Sequence, residues 1–167
     1  MIRRQKGKGR IEMSQRNRGF TTLELMIVLT VFGLMIAASW GSIQGIIDQQ
    51  RLNGATNQLA THMRLAREKA VAEGNNYIVT FRIAQNQYQV WDDEGSDSMM
   101  GPDDSRTNFD MPDRTVLQNA AFFGANRVIF RPDGTCNASG SVQITNQENT
   151  REVDVLASTG KITVTTP

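Results

Sequence analysis

Glu24 is the residue of this chain whose type and position point most directly to a specific function. It stands at the start of a charge-free stretch that runs from Leu25 to Ile47, and it follows the segment Gly19-Phe20-Thr21-Thr22-Leu23. An ionisable group beside an apolar segment of this length is costly in lipid and is usually functional. The alternative is a plain membrane anchor, in which Glu24 only complements the positive end of the helix dipole.

The other reactive side chains form no recognisable catalytic group. The chain has one histidine, His62, and one cysteine, Cys136, and it contains neither a Gly-x-Ser-x-Gly elbow nor a phosphate-binding loop. We therefore expect no catalytic residues, no enzymatic activity and no cofactor. We expect His62 to lie at a helix surface or an interface without binding metal, and Cys136 to be a packed small residue.

Acidic residues cluster between Asp92 and Asp113, where eight carboxylates have only Arg106 and Arg114 as nearby opposite charges. Clustered oxygen ligands suit calcium, but the spacing matches no calcium-binding loop. Charges interspersed with glycine and proline are typical of a solvated, mobile loop. We predict such a loop and no metal site, with calcium binding as the alternative.

The charge-free stretch is long enough to cross a membrane. About 23 residues at about 1.5 Å each give about 35 Å, against a hydrocarbon core of about 30 Å. We predict a transmembrane and assembly helix over residues 20–47. Its polar and small residues also suit contact with other helices. A signal peptide is the rival interpretation, but Ala37-Ala38-Ser39 is a weak cleavage site because the apolar pattern continues to Ile47.

Residues 1–19 form a basic leader, in which seven basic residues and Glu12 give a net charge of +6. The positive-inside rule places this leader in the cytoplasm. The remainder of the chain has 11 basic and 16 acidic residues, a net charge of −5. Met13 begins a shorter leader of its own and is an alternative start to Met1.

Beyond the apolar stretch, residues 48–74 continue as an amphipathic helix, with apolar residues at spacings of three and four. From residue 75 the apolar residues recur at every second position. Turn-forming residues separate short segments in which apolar and polar residues alternate. The first two, Tyr77–Ile83 and Gln87–Trp91, read as a hairpin. The sequence therefore predicts an α+β fold, in which a long N-terminal helix packs on a small antiparallel, sandwich-like β head over residues 75–167.

Gly19-Phe20-Thr21-Thr22-Leu23-Glu24-Leu25-Met26-Ile27-Val28-Leu29 resembles the processing and assembly motif of type IV pilins and pseudopilins. The resemblance implies that a prepilin peptidase cleaves after Gly19 and methylates Phe20, the new N-terminal residue. It implies that Glu24 pairs with the N-terminal amine of a neighbouring subunit. It also implies a single-pass protein of the bacterial inner membrane with a periplasmic head, which an assembly platform with an ATPase motor moves into a filament.

Three later segments resemble the GspH/FimT subgroup of minor pilins and pseudopilins. They are Leu65-Ala66-Arg67-Glu68-Lys69-Ala70-Val71, Val128-Ile129-Phe130-Arg131-Pro132-Asp133-Gly134-Thr135 and Ser158-Thr159-Gly160-Lys161-Ile162. The resemblance implies a minor pseudopilin of a type II secretion system, with other pilin-like subunits as partners.

Two other functions are compatible with this resemblance. One is a minor pilin of a type IV pilus, and the other is a DNA-binding minor pilin in natural transformation. We do not expect a nucleic-acid partner, because only Lys161 supplies charge where FimT-like members carry a basic motif.

Overall fold

The computed structural model describes residues 20–94 and 105–166, and for residues 39–43 it describes the backbone alone. The chain divides into two compact units, one ending at Trp40 and the other starting at Gly41. Helix α1, Thr22–Glu73, contributes residues to both units. This agrees with the helix predicted over residues 20–47 and 48–74, except that Phe20 and Thr21 precede it and Gly74 follows it.

In the first unit, Thr21 caps the start of α1. The backbone N–H of Glu24 donates a hydrogen bond to Thr21 Oγ1 at 3.2 Å, which satisfies one of the unpaired amides of the first turn. Apolar side chains are exposed along the helix from Leu23 to Ile36. Among the described residues of the whole chain, no helix combines the length and the apolarity needed to cross a membrane.

In the second unit, α1 ends at Glu73 because Gly74 turns the backbone out of the helix. Gly74 has φ +76°, in the left-handed region, and its N–H donates to Ala70 O at 3.1 Å. Glycine takes this conformation without steric cost. The predicted apolar face of this half of the helix is buried, as expected, and comprises Leu52, Ala55, Leu59, Met63, Ala66 and Ala70.

In the described residues after the helix, 74–94 and 105–166, eight strands form two antiparallel sheets. They are β1 Asn76–Arg82, β2 Gln87–Asp93, β3 Arg106–Asp110, β4 Val116–Phe122, β5 Arg127–Phe130, β6 Gly140–Thr145, β7 Thr150–Leu156 and β8 Lys161–Thr165. The strand order is β3-β2-β1-β5 in sheet A and β4-β6-β7-β8 in sheet B. The predicted β-rich head is therefore confirmed as a pair of four-stranded sheets.

The predicted first hairpin is present, with Val79 of β1 opposite Val90 of β2. A short 3-10 turn, Ile83–Gln85, joins the strands and ends at Asn86, which has φ +53°. Asn86 also holds the start of β4. Its side-chain amide donates to Thr115 O at 2.8 Å, and its Oδ1 accepts from Leu117 N–H at 2.9 Å. One turn residue therefore links sheet A to sheet B.

A single hydrophobic core joins the helix face to both sheets. Leu59 of α1, Val79 of β1 and Val142 of β6 all belong to it and are fully buried. The ring of Phe81 in sheet A stacks on Phe122 in sheet B, with centroids 5.6 Å apart. The helix therefore completes a core that eight short strands share, as expected for a head of this size.

The prediction of a loop across the acidic segment was wrong where the segment forms the end of β2 and the strand β3, whereas Asp113 lies in a turn. Asp93 is a buried residue at the end of β2, and β3 pairs with β2 from Arg106 to Asp110. The alternating signal of β3 is weak because most of its side chains are polar and exposed, as an edge strand permits. Asp97, Asp103 and Asp104 lie outside the described residues.

Candidate assembly site

The start of α1 carries two of the three residues predicted for processing and assembly. Phe20 precedes the helix and is 81% exposed, and Glu24 lies in the first helical turn with an exposed side chain. Gly19, the predicted cleavage position, lies outside the described residues. The Thr21 cap fixes where the helix begins, so Glu24 is held one turn after Phe20.

Apolar side chains cover the whole circumference of this part of α1. Successive residues of a helix are rotated by about 100°, so the consecutive exposed residues Leu25 to Leu29 point in all directions. Thr30 does not interrupt the apolar surface, because its hydroxyl donates to Met26 O at 2.7 Å within the helix. A helix that is apolar all round is stable when it is surrounded by lipid or by other helices.

Glu24 makes no ion pair with any other described residue of its own chain. The ion pairs Asp48–Arg51 and Asp48–Arg114 lie in the second unit. The exposed neighbours of Glu24 include the apolar Leu23, Leu25 and Val28, beside the capping Thr21. A carboxylate in this setting needs a cation from outside the described part of the chain once water is excluded.

In the head, the three segments that resemble GspH and FimT meet at Arg67. The Arg67 Nε–H donates to Gly134 O at 2.9 Å, and both groups lie against Gly160. Arg64 and Lys161 line a surface groove of about 450 Å³ beside this contact. Sequence reasoning missed this basic groove, because it joins residues of α1 to residues almost one hundred positions later.

His62 is more enclosed than a helix-surface residue. Its Nδ1 lies 2.7 Å from Tyr88 Oη, and its ring centroid is 4.1 Å from that of Phe109. Burial lowers the pKa of His62, so the neutral imidazole is favoured. The predicted interface position is correct, but the interface is the one between α1 and sheet A.

Cys136 is buried, and its thiol donates to Ala138 O at 3.4 Å. Burial also raises the pKa of the Cys136 thiol. This confirms the predicted packed role. Within residues 20–94 and 105–166, no group of three or more His, Cys, Asp or Glu side chains is arranged to hold a metal ion.

Solved structures with a similar fold include two of one secretion protein. The minor pseudopilin EpsH from the type 2 secretion system of Vibrio cholerae gives a TM-score of 0.56 at 10% identity, covering 70% of this chain and 98% of that chain. A second EpsH structure gives 0.54 at 11% identity, covering 71% and 95%.

The type IV minor pilin FimU of Pseudomonas aeruginosa is also similar, with a TM-score of 0.53 at 15% identity, covering 70% of this chain and 90% of that chain. At such low identities these likenesses show the fold alone, and they confirm the predicted pilin-like α+β architecture. No curated protein matches the chain in sequence.

Family comparison gives the more specific result. The prokaryotic N-terminal methylation motif matches residues 14–40, which include Gly19, Phe20 and Glu24. The family described as type II transport protein GspH matches residues 55–160, which is more than half of the chain. The chain therefore belongs to the family of type II transport protein GspH, and its function is that of a minor pseudopilin of the type II secretion system.

Proposed function

We propose that this pseudopilin acts by assembly and not by catalysis. A prepilin peptidase cleaves after Gly19, Phe20 becomes the methylated N-terminus, and Glu24 pairs with the N-terminal amine of a neighbouring subunit. The observation that carries this proposal is the exposed carboxylate of Glu24 in the first turn of α1, beside the segment Leu25 to Leu29, whose exposed apolar side chains point in all directions.

The physical argument rests on the cost of an unpaired charge. When apolar helices pack together or enter lipid, Glu24 loses the water that solvates it, and an uncompensated buried charge is strongly destabilising. An amine from another chain removes that cost only when the two helices are in the correct register. The ion pair would therefore select the register of assembly as well as stabilise the product.

We further propose that residues 20–47 hold the chain in the inner membrane as a single pass before assembly, with the head in the periplasm. The charge-free stretch from Leu25 to Ile47 supports the anchor, and the +6 leader supports the orientation. The partners are then the prepilin peptidase, an inner-membrane assembly platform with its ATPase motor, and other pilin-like subunits.

We do not extend the proposal to nucleic acid. Arg64, Arg67 and Lys161 lie along one groove, but Arg67 donates to Gly134 O and Arg64 Nη2 donates to Ile162 O at 3.4 Å. Phosphate affinity depends on the number of free basic contacts, and the chain after the leader carries a net charge of −5. Only the fold that the chain shares with the minor pilin FimU supports a role in a type IV pilus.

The experiment that tests the assembly role compares Glu24→Ala with Thr30→Ala in cells that build the pseudopilus. Thr30→Ala is the matched control, because it removes an exposed polar side chain from the same helix without changing a charge. We expect both variants to be cleaved after Gly19, as read by mass spectrometry of the N-terminus. Only Glu24→Ala should be absent from the pseudopilus. Normal incorporation of Glu24→Ala would refute the role of the carboxylate.

A further inference from the structure

Three of the four strands that lie at sheet edges have hydrogen bonds along their edges. In β5, Ile129 N–H donates to Asn137 Oδ1 at 2.8 Å, and Ile129 O accepts from Asn137 N–H at 3.0 Å. In β4, Leu117 N–H donates to Asn86 Oδ1 at 2.9 Å. In β8, Ile162 O accepts from an arginine of α1 at 3.4 Å. Such contacts are a common way to keep an edge strand from pairing with another chain.

The fourth edge strand, β3, leaves backbone groups open. Met111 N–H donates to Asn86 O at 3.1 Å, so Met111 faces β2. Directions alternate along an antiparallel strand, so Asn108 and Asp110 point their N–H and C=O groups away from β2. Within residues 20–94 and 105–166, these outward groups have no hydrogen-bond partner, and both residues are exposed. The edge of β3 is therefore available to another strand.

A buried donor without a partner lies next to this edge. Gln89 of β2 is opposite Asn108 in the strand register and is 2% exposed. Its Oε1 accepts from Arg82 Nη2 at 3.3 Å, but its Nε2 has no hydrogen-bond partner among the described residues. Buried polar groups are nearly always paired, so this donor indicates that the row of Gln89 and Asn108 is incomplete in the single chain.

The charges on β3 complement those of an identical strand. Its outward residues are Arg106, Asn108 and Asp110, and all three are exposed. In an antiparallel pair of two such strands centred on Asn108, Arg106 of each copy lies opposite Asp110 of the other. Opposite charges in directly facing positions stabilise a sheet, whereas like charges destabilise it. An in-register parallel pair would place like charges together.

We infer that β3 pairs with β3 of a second copy of this chain, antiparallel and centred on Asn108. The outward N–H and C=O groups of Asn108 bond to those of Asn108 in the second copy, and the pairs of Arg106 with Asp110 flank them. The amides of Gln89 and Asn108 from both copies form one row across the joined sheets. Asn108 supplies an acceptor for the Gln89 donor in this row, and ladders of Asn and Gln amides stabilise paired strands.

This pair has a symmetry that a filament does not use. The same residues of both copies form the contact, so a two-fold axis closes the pair and no further copy can join at this edge. A filament grows through contacts between two different surfaces of each subunit. The pairing of β3 therefore goes beyond the proposed assembly function, does not depend on Glu24, and belongs to copies outside the filament.

The first test is a disulfide at the centre of the pair, with Asn108→Cys in the full chain purified in detergent. Facing residues of a hydrogen-bonded pair have Cα atoms about 5.5 Å apart, which a disulfide can span. Thr163→Cys is the matched control, because Thr163 is an exposed residue in the middle of the edge strand β8. After mild oxidation we expect a linked dimer of Asn108→Cys only. The wild type should stay unlinked, since Cys136 is buried.

The second test reverses the charges in the Asn108→Cys chain. Arg106→Asp or Asp110→Arg alone should lower the yield of linked dimer about tenfold, because two attractive pairs become repulsive. Both reversals together should restore it. The positions are exposed, so the melting temperature of each variant should stay within about 3 degrees of the parent chain.

Each other outcome overturns the inference. Equal yields of dimer at positions 108 and 163, or none at 108, contradict the pairing of β3. A single charge reversal that leaves the yield unchanged, or a double reversal that fails to restore it, contradicts the antiparallel register. These results leave the assembly function standing, because that function is read from incorporation of Glu24→Ala into the pseudopilus and not from dimers of the purified chain.

Discussion

Arg67 Nε donates a hydrogen bond to Gly134 O at 2.9 Å, and this contact fastens α1 to the turn after β5. Gly160, in the turn between β7 and β8, closes over the same contact. A Cβ atom at Gly160 would lie 2.3 Å from Gly134 O and 2.7 Å from Arg67 Nε. Three segments that are far apart in sequence therefore share one tightly packed junction, which joins the helix to turns from both sheets.

Gly160→Ala should destabilise the head by more than about 2 kcal/mol, because the added methyl group overlaps backbone and the position has φ +57°. Gly54→Ala is the matched control. Gly54 is an exposed position of α1 with open space around its Cβ direction, so alanine should stabilise the helix by up to about 1 kcal/mol. Thermal unfolding of the purified variants should thus show shifts of opposite sign. Equal melting temperatures would contradict the close approach at Gly160.

Leu59→Asp should cost the head several kcal/mol, about 3–5, because Leu59 is fully buried and an unpaired carboxylate would replace it. Gln58→Asp places the same charge on the adjacent, exposed position of α1 and should change stability by less than about 0.5 kcal/mol. Denaturant unfolding of both variants gives the comparison. If Leu59→Asp unfolds at the same denaturant concentration as the wild type, the helix does not pack on the sheets as described.

His62 should make the head less stable in mild acid. Its pKa is lowered by burial, so below about pH 6.5 the unfolded chain takes up a proton that the folded chain resists. Stability is therefore greatest above that pH and falls as the pH drops toward the pKa of the folded state. His62→Gln retains a polar group for Tyr88 Oη but does not titrate.

The measurement for His62 is the melting temperature near pH 7.5 and near pH 5.5. We expect a smaller difference between the two for His62→Gln than for the wild type. If the wild type and His62→Gln lose the same number of degrees between the two pH values, groups other than His62 account for the acid sensitivity.

Asp48 and Arg114 should show only a weak coupling. Their atoms are 2.8 Å apart, but about half of the Arg114 side chain is exposed, so solvent screens the pair. A double-mutant cycle with Asp48→Asn and Arg114→Ala should give about 0.2–1 kcal/mol. A coupling above about 2 kcal/mol would mean that the pair is desolvated. A control cycle of Asp48→Asn with the distant Lys161→Ala should give no coupling.

The local features of this chain could be predicted because they depend on neighbouring residues. The 3.6-residue period from Leu52 to Ala70 predicted the buried face of α1, and the change of period after residue 74 predicted the end of the helix to within one residue. The alternating pattern gave the hairpin of β1 and β2. The strand β3 was missed, because a polar edge strand owes its conformation to pairing with β2 and not to its own residues.

The sequence by itself determined the basic leader, the charge-free stretch, Glu24 at its start and the type of element along most of the chain, since charge, hydropathy and period are local properties. Only the tertiary structure placed Arg67 against Gly134 and Gly160, enclosed His62 between α1 and sheet A, and left Asn108 exposed on the edge strand β3. These relationships depend on strand order and on the close approach of distant segments, which no local pattern in the sequence encodes.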